Sequence, residues 1–309
     1  MAVVVAALLP VFFLIVLGFI LKRTLMRLET QWHGLERLTY YVLFPVLLVQ
    51  TLVKADLNNV PVAGVGGALL LSALSMSLLC LALRPLLARG AVDGPAFTSV
   101  FQGAIRWQTY VALAVSGNLF GDAGLALASV AMVAIIPLVN VFSVSVLAQY
   151  ASTERRSVGS IAMTVVRNPL IWACVIGLVL NVSHIPLPKL WHEVADALGR
   201  SSLAIGLLVT GACLHLEGLF RPSLAASVAV FLKLVLMPVI AVALALWFGL
   251  NGSNLAIVAA CSAVPASSSA SVLARQMGGD APLLAQIITL QTILAAITMP
   301  VAIALAAMR

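Results

Sequence analysis

Apolar residues fill this chain in runs of about 20 positions, and short polar segments separate one run from the next. A run of that length spans the hydrocarbon core of a bilayer when it is an α-helix. The pattern therefore predicts an all-α polytopic membrane protein with ten transmembrane helices. The predicted spans are about Val3–Leu21, Leu35–Val53, Val62–Leu83, Pro95–Phe120, Leu125–Tyr150, Pro169–Val182, Val194–His215, Pro222–Leu250, Leu255–Met277 and Pro282–Ala307.

Spans 4 and 9 are each interrupted near the middle. The interruption of span 4 reads Arg106-Trp107-Gln108-Thr109, and that of span 9 reads Val264-Pro265-Ala266-Ser267-Ser268. A Gly-Asp-Ala turn follows each of them, at Asp122 and at Asp280, so the two turns are 158 positions apart. The same shift brings Arg106-Trp107 onto Val264-Pro265. The shared layout predicts two broken helices, one in each half of the chain, that face each other across a transport site.

Five predicted spans precede the polar segment 151–167 and five follow it. An odd number of spans in each unit gives the two units opposite orientations in the membrane. We therefore predict two inverted five-helix repeats, residues 1–150 and 168–309, which is an architecture found in many secondary transporters. The segment between them is predicted to be a cytoplasmic linker, with a short interfacial helix from Ser160 to Arg167.

Composition and charge set the class of protein and its orientation. The chain is 62% hydrophobic and 9% charged, whereas a soluble protein carries about 25% charged residues. Its net charge of +7 comes from basic residues scattered over short loops, which excludes a nucleic-acid partner. These residues divide ten against four between the two sides when both termini lie outside. We expect a multi-pass protein of the inner (plasma) membrane in that orientation.

Two cations, Arg106 and Lys233, are predicted near the middle of the bilayer. A central arginine costs roughly 2.5–3.5 kcal/mol on insertion scales, so such a residue normally faces the protein interior and has a partner. Every acidic residue lies at or near the end of a span. The two cations would therefore be matched by an anionic substrate. The alternatives are that Arg106 reaches the membrane surface and that Lys233 pairs with backbone carbonyls at a kink.

Polar and small side chains complete the predicted binding site. Trp107 and Gln108 suit a small planar solute, and the serines after Pro265 suit a polar cavity, although a serine-rich packing face with a proline kink would look the same. Asn140 and Gln291 lie inside spans 5 and 10, where they would line the cavity or bridge helices. No P-loop, nucleophile elbow or metal-ligand spacing occurs, so we expect no cofactor and no metal. Coupling to a proton or sodium gradient is compatible with the sequence, which does not specify it.

Longer motifs, in their order along the chain, resemble the auxin efflux carrier family. They are Leu9-Pro10 with Gly18, WHGLERLTYYVLFPVLLVQTL from Trp32 to Leu52, RNPLIWACVIGLVLN from Arg167 to Asn181, the Lys233 to Pro238 spacing, and ITLQTILAAITMP from Ile288 to Pro300. The likeness covers essentially the whole chain and is closest to the short bacterial members. Many members have an asparagine-glycine-proline break in span 4, whereas here the break has no proline.

The resemblance implies a fold akin to the bile acid sodium symporters, with spans 4 and 9 broken and crossing near the substrate. It also implies organic anions as substrates, either auxin-like weak acids or dicarboxylates such as malate or malonate. Spans 1, 2, 6 and 7 would be a scaffold against which the rest moves, and the protein would form homodimers. The predicted function is secondary transport. The alternatives are a membrane sensor or structural protein, which would need an output domain, and an ion channel, which would need a repeated filter sequence.

Overall fold

The computed structural model describes residues 2–55, 61–90, 92–151, 168–216, 219 and 222–308, and the regular elements within these residues are all helical. Six helical stretches among them are long and apolar enough to cross a membrane. The α-helices are α1 (Ala2–Thr24), α2 (Glu29–Leu38), α3 (Phe44–Lys54), α4 (Val62–Arg89), α5 (Gly94–Ile105), α6 (Thr109–Tyr150), α7 (Pro169–Val182), α8 (Lys189–Ala212), α9 (Leu224–Phe231), α10 (Met237–Trp247), α11 (Gly252–Ser262), α12 (Ser269–Gln276) and α13 (Ala281–Ala307).

Helix α6 is divided at Gly121, inside the turn predicted between spans 4 and 5. As one straight helix its 42 residues would measure about 63 Å at 1.5 Å per residue, roughly twice the hydrocarbon thickness. Gly121 instead has φ 60° and ψ −149°, a backbone conformation outside the helical region. Glycine adopts a positive φ without the steric cost of a Cβ atom. The chain therefore leaves the helical conformation at this single residue and turns there.

Two helices widen into a π-helical turn just before a proline. Residues Thr39–Leu43 join α2 to α3 ahead of Pro45, and residues Leu232–Leu236 join α9 to α10 ahead of Pro238. Proline has no N–H to donate to the helical ladder and its ring crowds the preceding turn. A π turn absorbs the mismatch without ending the helix. The second of these turns contains Lys233.

Close backbone contacts hold the elements together. Helix α1 packs along α8, where Gly18 lies against Leu208 and Gly211 lies against Ile15 with no room for a side chain. Helix α7 packs along α3, and the Asn181 side-chain amide donates to the carbonyls of Leu52, Val53 and Ala55 at 2.7–3.2 Å. Small residues at such interfaces let transmembrane helices approach closely. The remaining helices, α4 to α6 and α9 to α13, pack on one another beside this group.

Some segments differ from the predicted boundaries. Span 1 was predicted to end at Leu21 and span 2 to begin at Leu35, but α1 runs to Thr24 and α2 starts at Glu29. The short connection is held by Trp32, whose indole N–H donates to the carbonyl of Met26 at 2.6 Å. Span 7, predicted from Val194 to His215, is a helix from Lys189 to Ala212, because its polar first turn continues the helix. The predicted interfacial helix from Ser160 to Arg167 lies outside the described residues.

Candidate functional site

The two helix interruptions meet each other inside the protein. Helix α5 ends at Ile105, where Arg106 turns extended with φ −75° and ψ 152°, and α6 begins at Thr109. The second interruption covers residues 263–268, between α11 and α12. The backbone N–H of Gln108 donates to the carbonyl oxygen of Pro265 at 2.8 Å. A backbone N–H of the first interruption and a backbone carbonyl of the second therefore satisfy each other outside any helix.

Gln291 of α13 ties a third helix into this junction. Its side chain is fully buried, and its Oε1 accepts from the backbone N–H of Ala266 at 2.9 Å. Its Nε2 donates to the carbonyls of Gly103, near the end of α5, and of Ala229 in α9, at 3.0 and 3.2 Å. One amide thus satisfies backbone groups of three separate segments. Broken helices persist in a membrane only where such groups find partners.

A cavity of about 490 Å³ lies against the two interruptions. Its walls come from α2 and the following π turn, from α6, from the start of α7, and from the end of the second interruption with α12. The polar side chains at its wall are Glu36, Tyr40, Tyr41, Arg106, Trp107, Gln108, Thr109, Tyr110, Asn140, Asn168, Ser267, Ser268 and Ser269. This volume falls in the range of small-molecule sites, about 300–1,000 Å³.

Arg106 is the cation of this cavity. Only 9% of the residue is exposed. Its Nη2 donates to the Ser269 hydroxyl at 3.2 Å, and this hydroxyl is 2.9 Å from that of Ser267. Its Nη1 is buried and has no hydrogen-bond partner, and no ion pair joins Arg106 to an acidic residue among the described residues. The guanidinium therefore keeps donor capacity for a planar anion such as a carboxylate.

The structure divides the other predicted site residues into two groups. Trp107, Gln108, Thr109, Asn140, Ser267 and Ser268 lie at the cavity wall with Arg106. Val264, Pro265 and Ala266 are buried away from that wall, and so are Gln291 and Lys233. Lys233 lies behind Trp107, with its Nζ 5.4 Å from the centre of the indole ring. Trp107 thus contacts both the cavity and the buried lysine.

Sequence reasoning missed the wall that α2 provides. Glu36 and Tyr40 line the cavity one helical turn apart, and Tyr41 and Asn168 line it as well. A carboxylate therefore lies at this cavity, although the sequence analysis placed every acidic residue at or near a span end. The Glu36 carboxylate is 3.6 Å from the Nδ1 of His33. The i, i+4 spacing of Glu36 and Tyr40 on a polar helix was the available signal. Among the described residues, no three His, Cys, Asp or Glu side chains group as a metal site would require.

Gln108 also links the first interruption to α8. Its Nε2 donates to the Thr210 hydroxyl at 3.0 Å, and that hydroxyl donates to the carbonyl of Gly206 at 2.8 Å. The Tyr110 ring packs directly on Gly206 and lies edge-on to Phe44, 5.0 Å between ring centres. These contacts close the space between α3, α6 and α8 beside the cavity.

A second cavity, of about 560 Å³, lies beyond this closed region. Leu47, Gln50 and Lys54 of α3 line it, whereas Phe44 lines the first cavity. The C-terminal part of α6 lines the second cavity with Leu125 and Ala126, and the first cavity further along with Met132, Val139 and Val144. Because each helix passes from one cavity to the other, the two cavities lie towards opposite ends of these helices. Lys54 and Asp196 form an ion pair of 2.8 Å in the second cavity.

The comparisons with known proteins bear on the whole chain. Residues 3–303 match the model of a family described as membrane transport protein, the family of the auxin efflux carriers. A search of the curated proteins found no match. This family is one of transporters and not of enzymes, and its match agrees with the six long apolar helices in describing a multi-pass membrane protein. The predicted family is confirmed, and the chain belongs to the auxin efflux carrier family of membrane transport proteins.

Proposed function

We propose that this protein is a secondary transporter of a small organic anion, and that the cavity at Arg106 binds the substrate. The observation that carries the proposal is the Arg106 guanidinium, which lies at the cavity wall with one amino group unpartnered and with no ion pair to an acidic side chain in the described part of the chain. A carboxylate would accept two parallel hydrogen bonds from this group. Substrates of suitable size and charge are dicarboxylates such as malate or malonate and auxin-like weak acids.

The helix packing supports two inverted five-helix repeats, residues 1–150 and 168–309. Taken as spans, α1 is span 1, α2 with α3 is span 2, α7 is span 6 and α8 is span 7. Span 1 packs along span 7, and span 6 packs along span 2. Span 1 corresponds to span 6 and span 2 to span 7. When the halves are exchanged, the contact between spans 1 and 7 becomes the contact between spans 6 and 2, as a two-fold relation between repeats requires. The facing interruptions of spans 4 and 9 obey the same exchange.

Alternating access is supported by the two cavities at opposite ends of the same helices. Each cavity has one wall from spans 2, 6 or 7 and another from spans 4, 5 or 9. Moving one group of helices against the other would close one cavity and open the other. With both termini outside, as the basic loops predict, the Arg106 cavity faces the cytoplasm of a cell whose inner membrane holds the protein. The resemblance to the family further implies that the protein forms a homodimer and that spans 1, 2, 6 and 7 are the scaffold.

Anion counterflow in proteoliposomes tests the proposal. We expect the wild-type protein to exchange radiolabelled malonate, malate or indole-3-acetate. Replacing Arg106 by Gln removes a charged donor, whose hydrogen bond contributes about 1.5–3 kcal/mol, so exchange should fall at least about tenfold. Arg106→Lys keeps the charge without the planar fork and should give an intermediate rate.

The matched control is Arg37→Gln, because Arg37 is an exposed arginine of α2, next to Glu36. It should leave exchange unchanged. Thermal unfolding in detergent establishes that each variant is folded. Exchange that is equal in wild type and in folded Arg106→Gln contradicts the assignment of the site, and no exchange of any probe by the wild type contradicts the proposed substrate class.

A further inference from the structure

Lys233 is the one lysine of the described residues that is fully buried. It lies in the π turn Leu232–Leu236, near the centre of the span that α9 and α10 form. Its Nζ has no hydrogen-bond partner and lies over the Trp107 ring, 5.4 Å from the ring centre. A cation over an indole gains some electrostatic attraction, but much less than hydration supplies to an ammonium group.

The helices around Lys233 offer no counter-charge. Within their bounds, α5, α9, α10 and α13 contain no ionisable side chain, and α4, which packs on α10, contains only Cys80, Arg84 and Arg89. Arg106 adds another positive charge just beyond α5. The acidic residues Asp93 and Asp280 cap the first turns of α5 and α13 by accepting from Ala96 and Leu283, and Glu36 lies at the cavity wall. An isolated ammonium in such surroundings is costly, and proteins relieve the cost by neutralising the group or pairing it.

Unpartnered polar groups also occur in α5 and at the first interruption. The Trp107 indole N–H and both amide atoms of Gln102 are buried without a hydrogen-bond partner. Gln102 lies one helical turn before Arg106, and the neighbouring Gly103 packs on Ala229, one turn before Lys233. Buried polar groups are normally satisfied, so an unsatisfied cluster next to a ligand cavity marks a place where water or a proton can enter.

We propose that Lys233 is the proton carrier that couples anion transport to the proton gradient. The inference rests on the proposed function, since the anion at Arg106 supplies the missing counter-charge. In the empty cavity the Lys233 amine is neutral. When an anion binds, a hydronium ion from the cavity gives its proton to the Nζ lone pair and leaves one water molecule behind. On the other side of the membrane the ammonium returns the proton to water as the anion leaves. Proton and anion therefore move together, and the proton cancels one negative charge of the substrate.

Trp107 gives this coupling its structural basis. Trp107 lines the cavity, and Lys233 lies over its ring. An anion at Arg106 and the ammonium of Lys233 are thus close enough to attract each other across this side chain. They do not form a direct ion pair that would trap the substrate.

Transport by Lys233→Met in proteoliposomes tests the proposal, because Met preserves length and suits an apolar site. With radiolabelled malonate as the probe, an inward gradient of about one pH unit should raise wild-type accumulation up to about tenfold. In Lys233→Met the pH gradient should have no effect, while counterflow without a gradient continues. Lys189→Met is the control, because Lys189 is exposed and pairs with Glu193, and it should behave as wild type. An unchanged response of Lys233→Met to the pH gradient, or accumulation driven by sodium alone, overturns the proposal.

The charge of Lys233 can also be measured without transport. Selective ¹³C and ¹⁵N labelling of lysine gives signals from Lys22, Lys54, Lys189 and Lys233, and the signal missing in Lys233→Met identifies the last. In lipid nanodiscs without substrate, we expect this signal to show a neutral amine at neutral pH and an ammonium once malonate is added. A signal that shows an ammonium throughout overturns the inference, even if no probe is transported and the substrate class is wrong.

Discussion

Gln108 and Pro265 lie 157 positions apart in the sequence, yet the backbone N–H of Gln108 donates to the carbonyl of Pro265 at 2.8 Å. This bond closes the gap between two interrupted helices. Pro265 has no N–H of its own, so its segment cannot continue the α11 helix at this point. The carbonyl that remains free is the one that Gln108 uses. A hydrogen bond between the two halves of the chain therefore stabilises the irregular backbone at the site.

Replacing Pro265 by Ala should lower transport without unfolding the protein. An N–H at this position can bond to the carbonyl of Cys261, one helical turn earlier, and so extend α11 into the interruption. That extension would pull the carbonyl at 265 away from Gln108. We expect counterflow to fall at least about tenfold, because a buried backbone hydrogen bond at the site is lost, in a protein that thermal unfolding in detergent shows to be folded. Pro300→Ala, in the continuous helix α13, should leave counterflow unchanged, and equal activity of Pro265→Ala and wild type would rule out this role for the interruption.

Replacing Gln291 by Leu should destabilise the protein. The change leaves the N–H of Ala266 and the carbonyls of Gly103 and Ala229 without their partner. Each buried group that loses its partner costs about 1–3 kcal/mol. Thermal and denaturant unfolding in detergent would measure the loss. Thr292→Val is the control, since this buried hydroxyl bonds only within its own helix, to Ile288, and it should change the free energy of unfolding by less than about 1 kcal/mol.

Ser269 should affect the apparent affinity for the anion through Arg106. Its hydroxyl accepts from the Arg106 Nη2 at 3.2 Å and so holds the guanidinium in place. In Ser269→Ala we expect KM for uptake to rise about fivefold, as the loss of about 1 kcal/mol implies, with little change in the maximal rate. Ser268→Ala alters the adjacent hydroxyl, which lines the same cavity, and should raise KM less. A larger effect at Ser268 than at Ser269 would show that another group orients Arg106.

The contact between α1 and α8 should not tolerate a side chain at Gly211. A Cβ atom there would overlap the backbone carbonyl of Ile15, which cannot move without shifting α1. We expect Gly211→Ala to lower the free energy of unfolding by about 1–3 kcal/mol. Gly66→Ala on α4 has open space around the new atom and should stabilise the protein by up to about 1 kcal/mol through helix propensity. Unfolding temperatures of the two variants in the same detergent provide the comparison.

The sequence by itself determined the membrane class, the family and the positions of the two interruptions. Hydrophobic length, a proline and a charge within an apolar run are local properties, and they can be recognised without knowing what lies nearby. The same local signals marked Arg106 as buried, and the structure shows it to be 9% exposed. The turn at Gly121 was likewise evident from composition. Which sides of the helices face one another is not a local property, because it depends on the packing of segments that are distant in the sequence.

Only the tertiary structure decided which polar residues share a cavity. In an interior membrane helix every side is apolar, so periodicity does not tell which way a lone polar side chain points. The sequence left open whether Gln291 lines the cavity or bridges helices. Its partners at Ala266, Ala229 and Gly103 are 25, 62 and 188 positions away, so it bridges helices. Lys233 lies over the Trp107 ring and does not line the cavity, whereas Glu36 lines the cavity from the N-terminal end of span 2. These placements depend on how distant segments pack, which no short stretch of sequence encodes.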